Sequence, residues 1–274
     1  MEIGLSTWAY HLQPIDFAIH TIHEHAPAIQ HIEIWGNTPT HLNPLMYSPQ
    51  HVETLRQLLQ TNDLSPHSCH APFANLNLSD PTRSEHAIHA TRKTITLCRE
   101  LNCPTLTLHI SASPGVKTRA ELQQAKECAI EALITIVNYA QIHSVEILLE
   151  NLVPRPQHVR LGAAIEDLID IINVLNTQSV GICIDTGHSI LNKQDPSLEI
   201  RKAGRRLKAL HINDNNGIED LHKIPGSGVI QWDQVCQALQ DIHYEGIFML
   251  EIEGRHPIEQ TIQTAIDYSS TLLQ

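Results

Sequence analysis

The groups with the strongest chemistry in this chain fall in five short runs. These are His70-Ala71-Pro72, Glu150-Asn151, Asp185-Thr186-Gly187-His188, His211-Ile212-Asn213-Asp214 continuing to Asp220-Leu221-His222, and Glu251. Each sets a His, Asp or Glu just after a segment that reads as a buried strand. Carboxylates and imidazoles are costly to bury unless they are paired or bind a metal. Glu150, Asp185, His211 and Glu251 together make an oxygen-rich set that suits Mn²⁺, Mg²⁺, Co²⁺ or Zn²⁺ better than a thiolate-seeking metal. Three carboxylates so close would resist ionising together, and a divalent cation relieves that repulsion. Asp185 before Thr-Gly also fits a turn residue, and His211 alone fits a hydrogen-bonded core histidine. The case for a metal-dependent enzyme rests on four such groups at the same end of consecutive strands.

The elements that must position them are legible from periodicity. Short apolar runs alternate with helix-period stretches. Strands are expected at Ile3–Ser6, His31–Trp35, Ser65–His70, Thr105–Ile110, Glu146–Glu150, Val180–Asp185, Ala209–Asn213 and Ile247–Ile252. They are mostly apolar on both faces, as buried parallel strands are. Helices are expected over Pro81–Leu101, Ala120–Ala140, Gly162–Leu175 and Pro257–Leu272, and Ser48-Pro49 and Asp195-Pro196 read as helix starts. Eight β-then-α units imply a single (β/α)8 TIM barrel over 1–274, with its site at the C-terminal strand ends. No G-x-G-x-x-G follows the first strand, which argues against a nucleotide cofactor.

A second ring of ligand types accompanies the first four: His70, His109, His188, Asp220 and His222. Trp8, Glu33 and Trp35, near the ends of strands one and two, either line a pocket or fill the barrel top. Pro225-Gly226-Ser227-Gly228 reads as a tight turn whose glycines serve the turn or a close approach to substrate. Nine other histidines, His11 and His41 among them, are assigned no role.

Net charge is −12, from 30 acidic and 18 basic residues, which tilts against nucleic acid without excluding it. Lys117, Arg119, Arg155, Arg160 and Lys193 lie on site-side loops and suit a phosphate or carboxylate. Six cysteines form no C-x-x-C pair and sit mostly in apolar runs, so neither a disulfide framework nor a zinc ribbon is expected. The start MEIGLSTWAY carries no basic n-region and the chain no long apolar segment, which reads as cytoplasmic with no membrane partner. Homo-oligomerisation stays open.

The strings His-Ala-Pro-Phe at 70–73, Glu-Asn at 150–151, Ile-Asp-Thr-Gly-His at 184–188, His-Ile-Asn-Asp-Asn at 211–215, Asp-Leu-His at 220–222 and Pro-Gly-Ser-Gly at 225–228 resemble the xylose isomerase-like TIM-barrel superfamily. That superfamily includes sugar phosphate isomerases and epimerases and the endonuclease IV type of AP endonuclease (AP endonuclease family 2). The resemblance implies that Glu150, Asp185, His211 and Glu251 hold one divalent metal. It also implies that the two Glu side chains shuttle a proton next to a polarised sugar carbonyl while His188 stabilises the enediolate oxygen. The endonuclease IV pattern implies instead three zinc ions on His70, His109, Glu150, Asp185, His188, His211, Asp220, His222 and Glu251, and cleavage at abasic DNA. The ketose 3-epimerase branch has an Arg six residues after the strand-seven His and an acid six after the strand-five Glu; here these are Gly217 and Pro156. The expected activity is a metal-dependent sugar or sugar-phosphate isomerase or epimerase. The rivals are the phosphodiesterase, a metal-dependent dehydratase and a barrel that binds a metabolite without turnover.

Overall fold

The computed structural model of the chain describes residues 1–37, 41, 43–111, 115–255 and 257–274. Among these, eight parallel strands run in one sheet: β1 Ile3–Ser6, β2 His31–Trp35, β3 Ser65–His70, β4 Thr105–Leu108, β5 Glu146–Glu150, β6 Val180–Asp185, β7 Leu207–His211 and β8 Phe248–Leu250. Each pairs with the next in chain order from β1 to β7, and β8 lies beside β1. A parallel bridge between Ile212 and Leu250 closes the cylinder. The chain is thus a TIM barrel, with the helices α1 Ile15–His25, α2 Pro49–Thr61, α3 Pro81–Glu100, α4 Arg119–Ile142, α5 Ile165–Leu175, α6 Thr186–Leu191, α7 Pro196–Ala203, α8 Trp232–Asp241 and α9 Ile258–Leu272 among the described residues. No helix among them is long and apolar enough to cross a membrane.

The period of two along each strand separates two cores. Outward residues such as Ile147, Leu149, Ile182, Ile184 and Leu210 join the helices in one large apolar cluster. Leu148, Cys183 and Ala209 form a separate buried layer. Two residues further along the same strands stand Glu150, Asp185 and His211. The alternation that packs the barrel therefore also aims these three at its axis. Register reinforces it, since Asp185 lies opposite His211 and Trp35 opposite His70.

Several boundaries differ from the sequence reading. β4 stops at Leu108 because the Ile110 carbonyl accepts the Leu76 N–H from a neighbouring loop. β7 begins two residues early, beside a register shift on β6 that leaves Lys208 unpaired with it. β8 ends at Leu250, which bridges Ile212 just past the end of β7. α5 starts at Ile165 rather than Gly162, whose φ of +86° lies outside the helical region. Ser48 and Asp195 do cap α2 and α7, with Pro at the first turn.

Candidate active site and metal centre

α6, absent from the sequence reading, sets one side of the site. Asp185 ends β6 and caps this helix, its Oδ1 accepting the His188 N–H at 2.7 Å. Its Oδ2 accepts an Asn213 amide hydrogen at 2.8 Å. Asp185 is therefore both the turn residue and a group at the barrel axis. Asn151 ties the ends of β5 and β6 together, accepting the Asp185 N–H at 2.7 Å and donating to the Asp185 carbonyl at 3.0 Å.

Glu150, Asp185, His211 and Glu251 are all buried, and each offers one ligand atom within 4.8 Å of the others. His211 Nδ1 lies 3.1 Å from Glu150 Oε1 and 3.3 Å from Glu251 Oε2. His70 and His109 bring their Nε2 atoms to Glu150 Oε2 at 3.1 and 2.9 Å. Asp220 faces His188 at 3.6 Å and His222 at 3.4 Å. All nine ligand-type residues singled out in the sequence thus meet at one end of the barrel.

His70, His188, His211 and His222 are each oriented by a second nitrogen. A carbonyl can only accept, so the contacts of Nδ1 to Ala71, Asn151 and Glu251 carbonyls (2.8, 2.8 and 2.9 Å) place a proton on Nδ1 of His70, His188 and His222. Their Nε2 atoms then face Glu150 or Asp220. His211 is reversed. Its Nε2–H donates to Glu33 Oε2 at 3.1 Å, and Nδ1 faces the acids. Such anchoring of the far nitrogen fixes tautomer and ring direction, as partners of metal-binding histidines do.

Glu33 itself departs from the expected pocket role. It is fully buried and does not line the cavity. Its oxygens accept from Ser6 at 3.1 Å and Ser68 at 2.7 Å as well as from His211. Burial alone would raise its pKa, but His211, His70 and the Ser68 hydroxyl outweigh that and lower it to about 2. Burial also opposes ionisation of Glu150, yet His211 and His109 hold its carboxyl well below the usual range. Glu251 goes the other way, raised to about 7 by burial and by the charges of Glu150 and Asp185 despite His211 and His222. Burial works against the imidazolium of His188, but Asp185, Asp220 and Glu150 raise its pKa to about 10. In His109 burial prevails and the pKa falls to about 4.

These groups open into a cavity of about 600 Å³. Trp8 and Trp35 line it, as do His11, Phe73, Val153 and Leu221. Phe73 stacks on His109 with ring centroids 4.7 Å apart, and Trp8 lies 4.3 Å from the His222 ring. The sequence reading assigns His11 no role, and Phe73 enters it only as the last residue of the His-Ala-Pro-Phe string, without a role of its own. Arg155 and Arg160 also line the cavity, but the Arg160 guanidinium is engaged by the Val153 and Ser111 carbonyls at 2.9 and 2.7 Å.

The loop that carries Asp220 and His222 is organised by Asp214, to which the sequence reading gave no role. Its carboxylate accepts from Trp232 Nε1 and from the backbone N–H groups of Gly226, Val229 and Ile230 at 2.9–3.3 Å. Gly226 has φ +83°, and a Cβ at Gly228 would fall 2.1 Å from Asp214 Oδ1. These glycines let the chain wrap the Asp214 carboxylate.

A family model described as "Xylose isomerase-like TIM barrel" matches residues 27–272, and the chain belongs to that family. It is 24% identical over 257 residues to fructoselysine 3-epimerase of Shigella flexneri, covering 92% of this chain and 90% of that one. It is 30% identical over 193 residues to a probable endonuclease 4 of Mycoplasma capricolum subsp. capricolum, covering 65% and 64%. Among solved structures, a D-tagatose 3-epimerase-like protein superimposes with a TM-score of 0.85 at 22% identity, covering 99% of this chain and 98% of that one.

Proposed function

We propose that this protein is a divalent-metal-dependent epimerase or isomerase of a hydroxy-carbonyl sugar or sugar phosphate. The observation that carries the reading is the convergence of Glu150, Asp185, His211 and Glu251 within 4.8 Å, with Glu150 and Glu251 lining an aromatic-rimmed cavity. The donor set fits a divalent cation: three buried carboxylates exceed the one imidazole beside them, and the cluster offers hard oxygens plus one nitrogen. A cation held there would supply Lewis-acid polarisation of a carbonyl and its neighbouring hydroxyl. Glu150 and Glu251, on β5 and just beyond β8, remove and return the proton on the adjacent carbon. His188, its Nδ1–H fixed on the Asn151 carbonyl, directs Nε2 toward the oxygen that gains charge. Trp8 and Trp35 present ring faces and edges to the apolar side of a sugar. Similarity to a fructoselysine 3-epimerase supports the reaction class, while Pro156 and Gly217 separate the chain from the ketose 3-epimerase pattern.

The test is solvent exchange. The chelator-stripped protein, reloaded separately with Mn²⁺, Mg²⁺, Co²⁺ or Zn²⁺, is incubated in D₂O with a panel of ketoses, aldoses and their phosphates. Deuterium on the carbon next to the carbonyl is expected. Absence of exchange under every metal and substrate overturns the reading, and loss of water from a panel member assigns the dehydratase instead.

One observation favours a second reading. His70, His109 and Glu150 form a second group able to hold an ion, and Asp185, His188 and His222 a third. Three ions would suit a phosphodiesterase of the endonuclease 4 kind. About three tightly held zinc ions per chain, with chelator-sensitive nicking of an abasic duplex, would promote that reading; a single exchangeable ion would remove it.

A further inference from the structure

The barrel wall carries another set of ligating side chains, unconnected with the mouth. Cys69 precedes His70 on β3, so its side chain points to the opposite face, toward α3. There it meets Cys98, near the end of α3, and Cys103, in the turn before β4. The three sulfurs lie within 4.8 Å of one another. Each residue is at most 2% exposed. The turn is built to bring the last two together: the Cys103 N–H bonds the Cys98 carbonyl at 2.8 Å, and Asn102 takes a left-handed φ of +56°. Both thiols point at one acceptor, the Thr105 carbonyl, at 3.4 Å from Cys103 and 3.9 Å from Cys98. His67, at the register shift of β3, lies outside this group; its ring meets that of His31 with centroids 6.0 Å apart.

A single core cysteine is a small hydrophobe. Three converging sulfurs match the thiolate donors from which structural zinc sites are built. We propose that Cys69, Cys98 and Cys103 bind one thiophilic divalent cation of the zinc or cadmium class as a structural clasp between β3, α3 and β4. The sequence reading missed it because Cys69 stands 29 residues before the Cys98-x4-Cys103 pair and no C-x-x-C marks the set. The proposal is independent of the reaction at the mouth.

Cobalt(II) is the probe, because sulfur ligation produces a near-ultraviolet charge-transfer band that carboxylate and imidazole ligands do not. The full-length, reduced, chelator-stripped protein is titrated with Co²⁺. The expected result is one equivalent of charge-transfer absorption, lost in Cys98→Ser and Cys103→Ser. It should persist in Glu150→Gln and in Cys183→Ala, which removes the thiol beneath His211. If the serine variants do not fold, ¹¹³Cd NMR of the unsubstituted protein decides: a downfield, sulfur-ligated resonance supports the site. No charge-transfer band with all six thiols reduced, a band abolished by Cys183→Ala, or only oxygen- and nitrogen-ligated cadmium overturns it.

Discussion

The two halves of the barrel mouth are made of different chemistry. From β5 to β8 the strand ends present Glu150, Asp185, His211 and Glu251, all buried and within reach of one another. From β1 to β4 they present Trp8, Trp35, His70 and His109, with Phe73 stacked against His109. The acidic half concentrates negative charge that burial penalises, so it needs a cation or protons. The aromatic half carries no such penalty and offers flat apolar surface with polar edges, which positions a ligand without reacting with it. A sugar bears both a reactive carbonyl region and an apolar ring or chain face. The division therefore assigns chemistry to one half and orientation to the other.

The largest expected effect tests the acidic half directly. Glu150→Gln and Glu251→Gln should each lower kcat by about 10³-fold, since each removes a proton-transfer group. Metal-free Glu251→Gln should melt no lower than the parent, because the fold raises the pKa of this carboxyl, whereas metal-free Glu150→Gln should melt lower, because it removes the charge that His211 and His109 stabilise. Turnover measurements and thermal melts check both. A loss below about tenfold for either variant breaks the assignment of chemistry to this half.

Behind the acidic half, Glu199 on α7 carries another buried carboxylate, with its two oxygens lacking well-formed hydrogen bonds. Burial raises its pKa from 4.5 to about 7, with the charge of Glu166 adding to it, against a weaker opposing pull from Ser189. The folded state then holds the proton more tightly than the unfolded chain, so its contribution is full below pH 4.5 and fades as pH rises to 7. Glu199→Gln should remove this slope and raise stability above pH 7 by up to about 3 kcal/mol. Denaturant unfolding at pH 5 and pH 8 measures it, and an unchanged pH dependence would show that the excess of buried acid is confined to the mouth.

How much of this was legible follows the same division. The acidic half was readable because it rests on period two: Leu148 to Glu150, Cys183 to Asp185 and Ala209 to His211 each advance two residues along one strand. The barrel was readable from eight such strands. α6 was not, because a six-residue helix held by the Asp185 cap has no periodic stripe of its own. The Asp214 loop was not, because its order comes from one carboxylate collecting donors up to 18 residues away. The aromatic half was half visible: Trp8 and Trp35 announce themselves by type. His11 and Phe73 acquire meaning only from the rings they meet across loops. The wall cysteines joined strand, helix end and turn, a convergence that only the fold reveals.

Glu33 crosses the division. It belongs to β2, yet its carboxylate grips His211 of β7 through the barrel interior. Glu33→Gln keeps an acceptor but loses the charge that holds the ring. It should weaken divalent-metal affinity by about 10-fold, within the range for groups that orient a ligating histidine. Calorimetric Mn²⁺ titration gives the affinity, and ¹⁵N shifts of the His211 ring report whether the Nε2 proton is retained. Unaltered affinity would mean that Nδ1 needs no help from across the barrel.

The smallest effect is the sharpest test of the aromatic half. Trp8 stacks with His11 at 5.1 Å and leans on His222, so its ring closes one side of the cavity. If this half orients rather than reacts, Trp8→Ala should raise KM by about 10-fold, the scale of one lost ring contact, and leave kcat within about threefold. Trp8→Phe keeps an aromatic face and should recover most of the loss. A fall in kcat with KM unchanged would have another meaning. It would show that Trp8 acts through His222, holding that imidazole against Asp220, and the line between the orienting and reacting halves would then move to include the loop after β7.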